Sequence, residues 1–146
     1  MLRDLERILK AVADVTRLRI LRMLEGGPLC VCQIVEVLGL SQSTVSKHLL
    51  LLKHAGLIED ERRGKWTFYR RTPGLEGSLQ GAMRVLLTEF LTGEPRVAED
   101  LRRSRLPRVK KMTACCPPGV PKARGPARAL QRARRILSER QGEDAE

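Results

Sequence analysis

The chain has 146 residues, 28 Lys/Arg against 17 Asp/Glu and a formal net charge of +11, a length for one compact domain with an appendage rather than two full domains. With aromatics at only 3%, its core must rest on Leu, Val, Ile and Ala, which suits a small helical domain better than a large sheet. No run approaches the ~20 apolar residues of a membrane span, and the charged start Met1-Leu2-Arg3-Asp4-Leu5-Glu6 leaves no stretch for a secretory signal, so the expectation is a cytoplasmic protein with no membrane partner.

Residues 2–13 place apolar side chains at 2, 5, 8, 9 and 12, the stripe of an amphipathic helix. Asp14 caps a second helix with Leu18, Leu21 and Leu24 inward and Arg17, Arg19 and Arg22 on its flanks; Gly26-Gly27-Pro28 stops it. A third helix is expected over 29–38, with Ile34, Val35 and Leu38 in the core and Gly39 as a left-handed cap. Ser41 caps a fourth helix, 42–55, whose Val45, Leu49 and Leu52 share one face. The apolar period then changes from helical to alternating: residues 57–61 and 65–71 read as two strands around the turn Arg62-Arg63-Gly64. A fifth helix over 77–91 carries Leu79, Met83, Leu86, Leu87 and Phe90 on one side.

From Gly93 onward, prolines at 95, 107, 117, 118, 121 and 126 predict a mostly irregular tail, with room for a short basic helix at 127–139 behind Pro126. The division expected is therefore 1–92 as a folded domain and 93–146 as a basic, Pro-rich tail. Residues 1–92 hold 14 Lys/Arg and 10 Asp/Glu, a balance of +4, whereas 93–146 hold 14 and 7, a balance of +7. Such a surplus points to a polyanionic partner, nucleic acid first.

Two short helices joined at Gly39-Leu40-Ser41 and followed by a hairpin with a basic tip make a winged helix-turn-helix, mainly α, in the order α-α-α-α-β-β-α. The reading helix must offer short polar side chains outward, and Gln42, Ser43, Thr44, Ser46, Lys47 and His48 meet that demand, Lys47 as a phosphate contact and the others toward base edges. At the wing, Arg62, Arg63 and Lys65 suit a minor groove or backbone phosphates. Glu59, Asp60 and Glu61 would repel DNA, so only the tip and the far strand should approach it. Trp66, Phe68 and Tyr69 read as strand packing.

Four cysteines stand in two tight pairs, Cys30-Val31-Cys32 and Cys115-Cys116. In a reducing compartment, paired thiols read as soft-metal ligands or redox groups rather than disulfide staples. A thiol enzyme would need a base beside its nucleophile, and both histidines, His48 and His54, fall on the reading helix. No enzyme and no constitutive cofactor are expected.

Four stretches together resemble the ArsR/SmtB family of metal- and metalloid-responsive repressors: Lys10-Ala11-Val12-Ala13-Asp14-Val15-Thr16-Arg17-Leu18-Arg19-Ile20-Leu21, Leu29-Cys30-Val31-Cys32-Gln33-Ile34, Ser41-Gln42-Ser43-Thr44-Val45-Ser46-Lys47-His48-Leu49 and Ala55-Gly56-Leu57-Ile58. The resemblance covers about residues 5–91 and implies a homodimer on an inverted-repeat, double-stranded operator. It further implies a dimer interface from the first and fifth helices, with Leu5, Ile8, Leu86 and Phe90 as candidates, and loss of operator affinity when metal binds. Arsenite-responsive members often carry a third cysteine shortly after the first pair; that place here is Val35, which makes Cys115-Cys116 the source of a missing thiolate. Cys30, Cys32 and one tail cysteine would suit As(III) or Sb(III), all four would suit Cd, Pb or Zn, and a thiol redox switch or a sensor confined to the tail are further alternatives. The fifth helix lacks the histidine of the zinc site that some members carry there.

Thiols at a helix N-terminus face its positive dipole end. In a regular helix, however, positions i and i+2 point ~200° apart. Capture of one ion by both Cys30 and Cys32 should then open the first turn and shift the reading helix.

Overall fold

The computed structural model describes residues 1–63 and 66–110. Gly64, Lys65 and residues 111–146, which include Cys115, Cys116 and the helix expected at 127–139, lie outside the described residues.

The chain opens with α1 (Leu2–Val12) and α2 (Val15–Met23), the latter capped by Asp14, whose carboxylate accepts the Arg17 N–H at 3.0 Å. A 3-10 turn, Leu24–Gly26, leads to a two-residue strand, β1 (Leu29–Cys30), and then α3 (Val31–Leu38). Gly39 adopts φ 67°, ψ 24° and closes α3 in the left-handed region, where a Cβ would be strained. Ser41 caps α4 (Gln42–His54) by accepting the Thr44 N–H. The wing strands are β2 (Ile58–Arg63) and β3 (Trp66–Arg71), and α5 (Leu79–Leu91) follows.

The sheet is antiparallel in the order β1-β3-β2. Leu29 pairs with Tyr69 and Cys30 with Phe68, while β2 runs from Ile58 opposite Arg71 to Arg63 opposite Trp66. The expected hairpin is present, and a third strand joins it where the sequence predicted the first turn of a helix. A strand of two residues is too short to show an alternating pattern, so it merged with the helix that follows.

The core gathers Ile8, Ile20, Met23, Ile34, Val45, Leu49, Leu52 and Ile58, each at most 2% exposed. Full burial of such side chains contributes roughly 1.5–3 kcal/mol apiece. Val45, Leu49 and Leu52 hold α4 as their spacing predicted. The stripe on α5 divides: Met83 and Leu87 pack on the core, whereas Leu86 and Phe90 are 49% and 78% exposed.

Beyond Gly93 the expectation of irregular chain is corrected over 95–110. Helices α6 (Pro95–Ser104) and α7 (Pro107–Lys110) form there and pack on α2 and α3. Pro95 and Pro107 stand at helix starts, where a missing N–H costs nothing and a fixed φ helps. Val97 and Val109 are buried, and Asp100, 2% exposed, receives a bidentate bond from Arg19, Nε to Oδ2 at 2.5 Å and Nη2 to Oδ1 at 2.9 Å. Arg19 is thus no solvated flank residue. Arg103 Nη1 donates to the Val37 carbonyl at 2.9 Å, occupying the C-terminal end of α3.

Removing one partner of a buried ion pair strands the other, at a cost of about 3–5 kcal/mol. Asp100→Ala is therefore expected to lower unfolding stability by about 3 kcal/mol in urea titrations, and Asp100→Ala/Arg19→Met to recover more than half of that loss. An unchanged midpoint in Asp100→Ala would mean that this pair does not hold α6.

Candidate nucleic-acid interface and thiol site

Along α4, Gln42, Ser43, Ser46 and Lys47 are exposed on one side. Thr44 is half-buried, its hydroxyl 2.8 Å from the capping Ser41 hydroxyl. His48 turns away from this row: its Nδ1 lies 3.5 Å from Arg17 Nη1 and 3.8 Å from an Asp14 carboxylate oxygen. Arg17 also donates to the Lys10 and Ala11 carbonyls at 2.9 and 2.5 Å. His48 is thereby part of the corner where α1, α2 and α4 meet, and as a base contact it is corrected. A sequence pattern of polar residues cannot separate a side chain that faces DNA from one that faces a neighbouring helix.

At the wing, Arg62 is exposed, and Arg63 is half-buried, bonded to Glu61 at 2.8 Å with its guanidinium carbon 5.4 Å from the centre of the Phe68 ring. Both lie in β2 rather than in the turn. The acidic run expected to repel DNA is consumed internally. Glu59 pairs with Arg70 at 2.5 Å, Asp60 with Lys53 of α4 at 2.7 Å, and Glu61 with Arg63. The hydrogen bond from Lys53 holds the Asp60 carboxyl below its usual range, and the bond from Arg63 does the same for Glu61. These carboxylates stay charged and neutralised, and the Asp60–Lys53 pair ties the base of the wing to the reading helix.

The thiol pair sits at the joint between sheet and helix. Cys30 ends β1 in an extended conformation, φ −85°, ψ 163°, and serves as the N-cap of α3. Its backbone departs from the helix there, so the two sulfurs do not diverge: they lie 2.6 Å apart. The expectation that the first turn of α3 must open for both to meet one ion is corrected, because only Cys32 belongs to that turn. Cys30 is buried and Cys32 half-buried, and both pack with Phe68 and Trp66. Among the described residues no group of three or more His, Cys, Asp or Glu could hold a metal ion.

Sequence reasoning missed Gln33. It is 6% exposed; its side-chain oxygen accepts the Cys30 N–H at 2.9 Å, and its Nε2 donates to the Val109 carbonyl at 3.1 Å. One side chain thus spans from the thiol pair to α7. The Cys-x-x-Gln spacing resembles a capping box, and that signal would have placed Cys30 at the cap rather than in the helix.

Of the expected interface residues, Ile8 is 0% exposed in the core of the single chain and is corrected: α1 uses it against α2 and α4. Leu5 is half-buried, and Leu86 and Phe90 face outward.

Residues 14–60 match the bacterial regulatory protein, arsR family. The arsenic resistance transcriptional regulator ArsR2 of Pseudomonas putida is 35% identical over 81 residues, covering 55% of this chain and 70% of that one. The chain belongs to the ArsR family. The arsenical resistance operon repressor of Escherichia coli is 46% identical over 68 residues, 46% of this chain and 58% of the relative. Among solved structures, the homodimeric winged helix-turn-helix DNA-binding domain of a possible ArsR-family regulator from Mycobacterium bovis superposes with a TM-score of 0.55 at 30% identity, covering 64% of this chain and 83% of that one. This ArsR-family protein is a transcriptional repressor with a winged helix-turn-helix that binds DNA, and its relatives are regulators, not enzymes.

Because the two sulfurs of this repressor are adjacent, a reagent that needs two neighbouring thiols should find them without the tail. Phenylarsine oxide exchanges its As–O bonds for two As–S bonds and releases one water. One equivalent per chain is expected to bind a Cys115→Ser/Cys116→Ser variant by intact mass, and none when Cys30→Ser is added. Equal uptake in both variants would contradict the pairing of Cys30 with Cys32.

Proposed function

We propose that this repressor leaves its operator when trivalent arsenic or antimony is captured by Cys30, Cys32 and one thiolate of Cys115 or Cys116. The carrying observation is the adjacency of the Cys30 and Cys32 sulfurs on the DNA-binding module itself. Arsenous acid and three thiols exchange three As–O and three S–H bonds for three As–S bonds and three waters, with no redox change. The described residues offer two thiols and no third donor group, which is why the tail enters the reading. Gln33 holds the Val109 carbonyl beside Cys30, and six residues of chain from Val109 to Cys115 span at most ~20 Å. That reach supports completion of the site within one subunit.

The same repressor acts as a homodimer on an inverted repeat, with the exposed Leu86 and Phe90 of α5 against the partner. Gln42, Ser43 and Ser46 read base edges, and Lys47 and Arg62 hold phosphates. Each phosphate contact contributes about −0.9 to the slope of log K against log salt. Lys47→Gln is expected to weaken operator and random duplex alike and to reduce that slope by about one per subunit, measured by fluorescence anisotropy across salt. Selective loss of the operator alone would make Lys47 a base reader instead.

The sensing half is tested by operator band-shifts titrated with arsenite, antimonite, cadmium, lead, zinc and peroxide under defined redox conditions. Arsenite and antimonite should release wild type. Cys30→Ser and Cys32→Ser should abolish the response, and the Cys115/Cys116 double change should blunt it. Release by cadmium, lead or zinc but not arsenite would replace this reading with a tetrathiolate site. Release by peroxide without arsenite would make it a redox switch, and an unaltered arsenite response in Cys30→Ser would remove the pair from the sensor.

A further inference from the structure

We infer that occupancy of the thiol pair is transmitted to DNA through the wing, with Phe68 as the positioning residue that links the sulfurs to Arg63. The inference rests on the reading that Cys30 and Cys32 capture the inducer, and it replaces the expected route through distortion of α3.

Directly opposed residues of an antiparallel sheet share a face. Cys30, Phe68 and Glu61 are opposed across the three strands, and Trp66 with Arg63 forms the next pair outward on that same face. Leu29, Tyr69 and Asp60 occupy the other face, where Tyr69 packs on the main core and Asp60 bonds Lys53 of α4. The sulfurs therefore look along the outer face of the wing, not toward the reading helix.

Contact along that face is continuous. Cys30 and Phe68 are 3% and 5% exposed and form a cluster of their own with Cys32 and Trp66, apart from the main core. The ring that covers the sulfurs also lies beneath the Arg63 guanidinium, 5.4 Å from its centre, and Glu61 holds the same guanidinium at 2.8 Å. An inducer bound by both sulfurs adds its central atom and third ligand to the cluster of Cys30, Cys32, Phe68 and Trp66. The Cys30 backbone is held by its pairing with Phe68 and by Gln33, so the added volume falls on the side chains around the sulfurs. Cys30 and Phe68 are 3% and 5% exposed, and close-packed groups have little slack to absorb it. The ring shifts to make room, and Arg63 with it.

The test uses the full-length chain carrying Cys115→Ser/Cys116→Ser, the wild type of this comparison, with phenylarsine oxide as the probe, occupancy followed by Trp66 fluorescence (the chain's one tryptophan) and by intact mass. Operator affinity is measured by anisotropy with and without probe, and the ratio cancels any change in basal affinity. Allosteric couplings run about 5–150-fold, and a fall of about tenfold or more is expected for wild type and for Phe68→Tyr, which keeps the ring. Phe68→Leu, which keeps apolar cover on Cys30, and Arg63→Met should bind probe fully yet fall by about threefold or less. The double variant should be no worse than either single one, because both interrupt one path. A full fall in probe-loaded Phe68→Leu, or in Arg63→Met, would overturn the wing route while leaving thiol sensing intact. Wild type that binds probe at the pair and keeps full operator affinity would instead overturn the sensing reading, and this route with it.

Discussion

Cys30 belongs to two hydrogen-bonded systems at once, and the layout of the molecule follows from that. It is the last residue of β1, paired with Phe68 of the wing, and also the N-cap of α3, its N–H accepted by Gln33. A residue in extended conformation at a helix start turns its side chain out of the helical array. That turn brings the Cys30 sulfur onto Cys32. It also fixes the pair to two parts that a repressor needs to keep in register, the helix-turn-helix on one side and the wing on the other. Gln33 then extends the same junction to α7, so that the chain leaves the described structure beside the thiols.

Charge is arranged to serve this junction. The net charge of +11 suggests a broadly basic surface, yet many of the charges that shape the fold are spent internally. Arg19 is committed to Asp100, Arg103 to the end of α3, and Arg17 to the end of α1. Glu25 sits between Arg22 and Arg71 and also accepts the Thr88 hydroxyl at 2.9 Å, tying α5 to the turn before β1. Burial pushes its carboxyl up, but the bonds from Arg22 and Thr88 and the charge of Arg71 outweigh this and leave it below its usual range. The acidic residues of β2 are neutralised pair by pair. Among the described residues, Gln42, Ser43, Ser46 and Lys47 of α4 and Arg62 of β2 stay exposed.

The helix-turn-helix was legible in the sequence because each of its parts has a local cause. Asp14 and Ser41 cap, Gly39 takes the left-handed turn, and Val45, Leu49 and Leu52 bury, all within a few residues of one another. The thiol site was only half legible. Its cysteines were visible, but their convergence depends on a strand pairing between positions 30 and 68, and no local period reports a contact that distant. The C-terminal helices were hidden for a different reason. Proline is a breaker inside a helix and a good first residue of one, and only the packing of Val97 and Asp100 on α2 and α3 decides between the two. Ile8 and His48 went astray alike: each lies on a helix with two occupied faces, and a stripe read from one helix does not say which neighbour claims it.

The two faces of the wing sheet carry different groups. One is bonded to α4 through Lys53 and Asp60 and packs Tyr69 on the core. The other carries the sulfurs, the two aromatic rings and Arg63. On the α4 side, the inward residues Val45, Leu49 and Leu52 are all 0% exposed. Under the proposed roles, base reading by α4 and phosphate attraction by the wing would contribute differently to binding: the first would discriminate sequence, the second would supply salt-dependent affinity. A signal carried along the outer face would weaken the affinity term and leave the reading surface assembled. Under that proposal the repressor would return to its operator without refolding its recognition helix.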